Sequence, residues 1–172
     1  NVAANDVSSA QRAAAKTVNF GIIYGQSAFS LAKQLDISMS LAKQYIEQYF
    51  AQYPEVLKYR EMVLQEVRQS LVVRTLFERL RPVPLINASN LMQRAMAERL
   101  AFNTVLQGSA ADIIKMAMIK LHQELVAYDA KILLQVHDEL VLECELSAVD
   151  QVTMLCKTVM EQVIKLNVPL IV

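Results

Sequence analysis

The sequence predicts an α+β fold, mostly helical, with a long helix late in the chain and a small antiparallel sheet or hairpin. Three observations predict it. Apolar residues recur at helical spacing through most of the chain before residue 72 and again after residue 90. The segment "KILLQVHDELVLE" sets two apolar runs on either side of a polar triplet, which is a hairpin pattern. The chain has three glycines, Gly21 and Gly25 in "NFGIIYG" and Gly108 in "QGSAAD", so each should mark a close backbone approach or a helix end.

Taken in order, Ser8 or Ser9 can cap a first helix that stops at Tyr24-Gly25. "AFSLAKQLD" and "SLAKQYIEQYFAQY" read as two shorter helices. Tyr53-Pro54 breaks that run, and "EVLKYREMVLQEVRQSL" resumes the helical period. "VVRTLFERLRPVPLI" is strand-like, with Pro82 and Pro84 restricting it to edge positions. Asn87, Ser89 or Asn90 can cap a long helix reaching about Ala127, bent at Gly108. The 132–143 hairpin follows, then a helix near 148–166, and "VPLIV" as a last strand.

Composition sets limits. Of 172 residues, 54% are hydrophobic and 20% charged, which excludes a disordered chain and allows one domain or two small lobes. No apolar run reaches membrane-spanning length and no N-terminal signal pattern is present. Cys144 and Cys156 have neither metal-ligand spacing nor disulfide-scaffold density, so buried free thiols in a reducing cytoplasm are expected. Net charge is zero, but its distribution is uneven. Arg74, Arg79, Arg81, Arg94 and Arg99 form a basic stretch, while Asp138, Glu139, Glu143, Glu145 and Asp150 accumulate with no cation between Lys131 and Lys157. That order fits a site for phosphates and metal ions, and equally a pair of solvated faces.

Three polar constellations carry chemistry. Arg12, Lys16, Phe20 and Tyr24 stand four residues apart; at about 100° per residue each step drifts about 40°, so they form one slowly turning stripe about 18 Å long. Two cations at one end and two aromatics at the other match a nucleoside triphosphate, although spacing alone also fits an ordinary amphipathic helix. Arg99, Asn103 and Gln107 repeat the spacing with hydrogen-bond donors. Such a row can meet the minor-groove acceptors that every base pair presents, or it can be a solvated stripe. His137, Asp138 and Glu139 place two carboxylates on a hairpin tip, where Mg²⁺ finds hard oxygen ligands. The plain alternative is a polar turn. A two-metal site needs a further carboxylate, and Asp6, Asp36, Asp112, Asp129 and Asp150 all fall on expected helices or loops.

These residues carry a resemblance. "RAAAKTVNFGIIYG" resembles the nucleotide-binding motif of family A DNA polymerases, Arg-x3-Lys-x7-Tyr-Gly with Phe between. "LLQVHDELVLE" resembles that family's second carboxylate motif, and "ERLAFNTVLQGSAADIIK" the helix between them, so the likeness runs nearly the whole chain. It implies a fingers subdomain over 1–88 and the C-terminal part of a palm over 89–172. Arg12 and Lys16 would hold a dNTP triphosphate, with Lys16 also among the catalytic groups. Phe20 would pack on the sugar and Tyr24 at the templating base. Arg99, Asn103, Gln107 and His137 would contact the primer–template. Asp138 would bind Mg²⁺, with Glu139 an accessory ligand. The family's other metal aspartate lies upstream in an Asp-Tyr-Ser-Gln-x-Glu type motif, which residues 1–11 lack.

The likeness therefore implies a piece of a DNA-directed DNA polymerase of replication and repair, inactive by itself. Its implied partners are primer–template DNA and dNTPs, with no membrane and no obligate protein partner, in a bacterial cytoplasm at the nucleoid. A non-catalytic nucleic-acid-binding or interaction module of the same fold is the alternative. Arg12, Lys16 and Asp138 together speak against it, because pure binding needs no metal carboxylate. One departure is "TLFERLRP", where relatives carry a glycine–arginine hairpin: Glu78 in the turn and Leu80 in place of a cation argue against a template contact there.

Overall fold

Local signals set the first helix. Ser8 caps α1 (Ser9–Ile23) by accepting from the Gln11 N–H, while the Gln11 side chain accepts from the Ser8 N–H at 2.8 Å. This reciprocal capping box satisfies two otherwise orphaned donors. At the other end Gly25 adopts φ 75°, its N–H reaches the Ile22 carbonyl, and Gln26 N–H reaches the Gly21 carbonyl at 2.8 Å. That is a Schellman stop, which needs the left-handed conformation glycine allows without steric cost. The computed structural model describes residue 3 and residues 6–172.

Ser27 and Ser38 cap α2 (Ala28–Leu35) and α3 (Met39–Gln52), and Pro54 opens α4 (Pro54–Ser70) at a position whose N–H is unsatisfied in any helix. Two strands, β1 (Val72–Arg74) and β2 (Leu80–Pro82), pair antiparallel with Val73 opposite Arg81. Pro82 ends β2, as an edge position requires. Asn90 caps α5 (Leu91–Asn103) by accepting from Met92 and Gln93. Asn87 is not a cap; its amide donates to the Arg68 carbonyl at 2.8 Å and ties the 3₁₀ turn at Pro84–Asn87 to the end of α4.

The long helix expected up to residue 127 is interrupted rather than bent by its glycine. Residues Thr104–Gly108 form a π turn, α6 covers Ser109–Glu124, and a 3₁₀ turn closes Leu125–Tyr128. Gly108 itself keeps ordinary helical backbone, φ −64°. The hairpin follows as β3 (Lys131–Val136) and β4 (Glu139–Glu143), then α7 (Val149–Gln162). The register shifts between Ile132 and Leu134, a bulge that inserts one residue into β3. Residues 168–172 are not the strand expected from "VPLIV". Pro169 removes one ladder donor, and the Val172 N–H bonds the Glu161 carboxylate at 3.2 Å instead of a strand partner.

The chain forms two compact units, up to Val105 and from Leu106 onward. In the first, Ile22, Leu31, Ala32 and Ala42 join α1, α2 and α3 in one buried cluster. Farther along, α4 packs on α5 and β1, with Val63, Leu64, Val67, Val73, Ala101 and Phe102 buried and Arg68 bonding Glu98 at 2.7 Å between the two helices. In the second unit Leu121, Leu125, Ala130, Val152 and Val159 form the core, and Leu140 and Leu142 of β4 pack on it. Val141 and Glu143 alternate outward.

Candidate functional site

The helical stripe on α1 keeps its order in three dimensions. Phe20 and Tyr24 stack with centroids 6.0 Å apart and planes 22° apart, and the Lys16 ammonium stands 5.8 Å from the Phe20 centroid. Lys16, Phe20 and Tyr24 line one open groove of about 580 Å³, together with Thr17, Gly21, Gln26 and Gln34. Phe20 is 47% exposed, unusual for a phenyl ring with a core available nearby. Its exposure follows from the stripe: Val18 and Ile22 on other faces of α1 take the packing positions against α2 and α3. Arg12 is exposed on the same helix but does not line the groove. The arrangement offers a cation, then two flat apolar faces, on one wall.

Helical spacing could not reveal Gln26 and Gln34. Both reach the groove only because the chain reverses at Gly25 and returns as α2. The one sequence signal was glycine scarcity: Gly21 lies where the Gln26 side chain crosses α1, so a methyl there would overlap the Gln26 Oε1.

The second constellation is divided. Arg99 and Asn103 lie on α5 in the first unit, and Gln107 is exposed in the π turn at the start of the second. The stem of Arg99 passes the α1–α2 reversal, since a Cβ on Gly25 would stand 3.1 Å from its Cγ. Asn103 Oδ1 is buried with no hydrogen-bond partner among the described residues, which leaves an acceptor to be satisfied. Of the basic stretch, Arg74 is paired with Glu78 at 3.0 Å and Arg81 donates to Thr104 Oγ1 at 3.1 Å.

His137 and Asp138 form the two-residue loop between β3 and β4, and Glu139 is the first residue of β4. His137 holds φ 57°, and its carbonyl accepts from Gln135 Nε2 at 2.9 Å. All three side chains are exposed, and Asp138 and Glu139 line a cavity of about 380 Å³ with Ile113, Ile114, Ala117 and Met160. Two adjacent carboxylates suit a hard cation that keeps waters and substrate oxygens in its remaining positions. Among the described residues no three His, Cys, Asp or Glu side chains converge as a complete metal cage. The two carboxylates are hard oxygen donors of the kind Mg²⁺ takes. Also among the described residues, no helix is long and apolar enough to cross a membrane.

Comparison with known proteins agrees across sequence and structure. DNA polymerase I of Lactococcus lactis subsp. lactis is 48% identical over 97% of this chain, which covers 19% of that protein. The Deinococcus radiodurans DNA polymerase I is 49% identical over 94% of the chain and 17% of its own length. The thermostable DNA polymerase I of Thermus thermophilus is 48% identical over 92% of the chain and 19% of its length. The polymerase domain of Pol1 from M. smegmatis, solved in complex with a DNA primer–template and dNTP, superposes with a TM-score of 0.90 at 38% identity, covering 96% of this chain and 30% of that one. The chain thus spans about a fifth of the length of these curated relatives. The profile of DNA polymerase family A matches residues 1–172 throughout, and the chain belongs to that family.

Proposed function

We propose that the chain is the fingers (1–88) and the C-terminal part of the palm (89–172) of a DNA-directed DNA polymerase. Its reaction is template-directed transfer of a nucleotide from a dNTP to a primer 3′-hydroxyl, in replication and repair. The observation that carries the reading is the α1 groove, where Lys16 and the stacked Phe20–Tyr24 pair share one wall in triphosphate–sugar–base order.

The work of each residue follows from its place. Lys16 and Arg12 neutralise the triphosphate, which is where charge develops as the α–β phosphoanhydride breaks. Phe20 supplies a flat apolar face to the sugar, and Tyr24, at the helix stop, stands where the templating base stacks. Arg99, Asn103, Gln107 and His137 would each contact the primer–template, the first three through their N–H donors. Asp138, with Glu139 as accessory, would hold Mg²⁺, which supplies charge neutralisation on the attacking and leaving oxygens when bound. The two carboxylates orient their hard oxygens from a hairpin tip whose register is pinned by strand pairing on both sides. A bacterial cytoplasm at the nucleoid suits a DNA enzyme with two free cysteines.

Primer extension by the full-length protein tests the reading. Asp138→Ala is expected to lower kcat by well over tenfold, because metal-assisted stabilisation is worth several kcal/mol. Primer–template affinity should hold, since phosphate contacts from other residues dominate it. A fall in kcat of less than about tenfold would show that Asp138 is not a metal ligand of the reaction.

A further inference from the structure

Not every polar group in the α1 groove comes from α1. Gln26 follows the Gly25 reversal directly, and its carboxamide turns back over the helix that has just ended. Both amide hydrogens are used on α2: Nε2 donates to Ser30 Oγ at 2.9 Å and to Gln34 Oε1 at 2.9 Å. The Oε1 end lies on the opposite wall, against Gly21, where a methyl group would overlap it. One side chain therefore spans the groove from α2 to α1, and Gln34, its partner, is itself a lining residue.

We propose that Gln26 is a positioning residue for nucleotide binding: latched to Ser30 and Gln34 and seated on Gly21, it sets the spacing of α1 and α2 and so the place of the Phe20–Tyr24 wall. The inference deepens the nucleotide-site reading above and rests on it. A strut ordered by folding leaves less to be ordered when the nucleotide binds, and this raises affinity without touching the bond that breaks. Its removal therefore acts on KM and not on kcat. Gly21 has a role in the same device. The atom that a Cβ there would meet is the far end of a flexible side chain, so Gly21→Ala moves the carboxamide aside and leaves the backbone in place.

The test is steady-state incorporation on a primed template by the full-length protein, with dNTP varied. Gln26→Ala is expected to raise the dNTP KM about tenfold, the equivalent of losing one or two hydrogen bonds, with kcat within about threefold of wild type. Gly21→Ala should give a similar KM, and the double variant should be no worse than either single one, because both act on one carboxamide. Gln26→Leu keeps the bulk but can donate to neither Ser30 nor Gln34; it should raise KM likewise and replaces the alanine variant if that unfolds. An unchanged KM in the Gln26 variants would overturn the proposal, as would losses that multiply in the double variant, or a lower Tm with KM intact. If wild type extends primers and the variants do so with the same dNTP KM, the strut alone is wrong. If wild type incorporates no nucleotide at all, the nucleotide-site reading fails and takes the strut with it.

Discussion

Lys16 sits where two attractions compete. Its ammonium faces the Phe20 ring at 5.8 Å, a contact worth about 0.5–1 kcal/mol at an exposed site. A charge-assisted hydrogen bond to phosphate is worth about 1.5–3 kcal/mol, so on the proposed reading a triphosphate would win the cation and leave the ring to the sugar. Lys16→Ala in the full-length protein should therefore raise the dNTP KM by about 10- to 100-fold. Single-nucleotide incorporation with varied dNTP measures it, and an unmoved KM would mean that Lys16 does not touch the triphosphate. Cys156 makes a different case. Burial, reinforced by nearby Cys144, pushes its thiol above the ordinary 9.0. Because the thiolate is the reactive form, iodoacetamide at pH 8 should label Cys156 more slowly than free cysteine, as peptide mass spectrometry can follow. Fast labelling would contradict the packed environment assigned to it.

At the level of elements, local signals were legible and context was not. The limits of α1 could be read from Ser8 or Ser9 and from Tyr24-Gly25, because caps and Schellman stops involve residues within six positions of one another; the structure selects Ser8 and adds Gln11 to the cap. The π turn at Thr104–Gly108 has no such signature, and neither does the irregular end at 168–172, where strand-like letters have no strand partner. Glu78 shows what the departure at "TLFERLRP" does to its hairpin. It occupies φ 62°, left-handed backbone that costs a non-glycine residue about 1–2 kcal/mol, and its exposed bond to Arg74 returns little of that. Glu78→Gly should stabilise the chain by about 0.5 kcal/mol, after allowing for the greater freedom of glycine when unfolded. Denaturant unfolding decides it, and a clear loss of stability would mean that the Arg74 pair matters more than the backbone. In the second unit, Leu121→Ala removes a fully buried side chain at the centre of the core. It should cost about 2–5 kcal/mol, visible as a lower unfolding midpoint.

For the molecule as a whole, the order of the motifs was legible along the chain, while the assembly of the groove was not. Lys16, Phe20 and Tyr24 fall together by helical period alone, whereas Gln26 and Gln34 join them through a chain reversal that no period encodes. The hairpin tip could be read as carrying two carboxylates, which Asp138 and Glu139 place on one cavity, whereas a two-metal site needs a further one. The 172-residue chain alone should thus give no primer extension with Mg²⁺ and four dNTPs, and robust template-dependent extension would show the site to be wrongly assigned. Alkaline pH should weaken the fold. Burial raises Cys156 above 9.0 and, with Tyr53 adding to it, Tyr49 above 10.0. Groups with raised folded values give stability that is complete below the unfolded pKa and is lost as pH rises through the folded one, so Tm should decline above about pH 9.

The central claim is that the α1 groove receives the nucleotide, and photo-crosslinking tests it most directly. The full-length protein would be irradiated with an azido-dATP on a primed template that calls for it, and the adducts mapped by peptide mass spectrometry. The account predicts adducts concentrated within residues 12–34 and suppressed by excess dATP. Adducts elsewhere, competed by dATP with none in that segment, would contradict it.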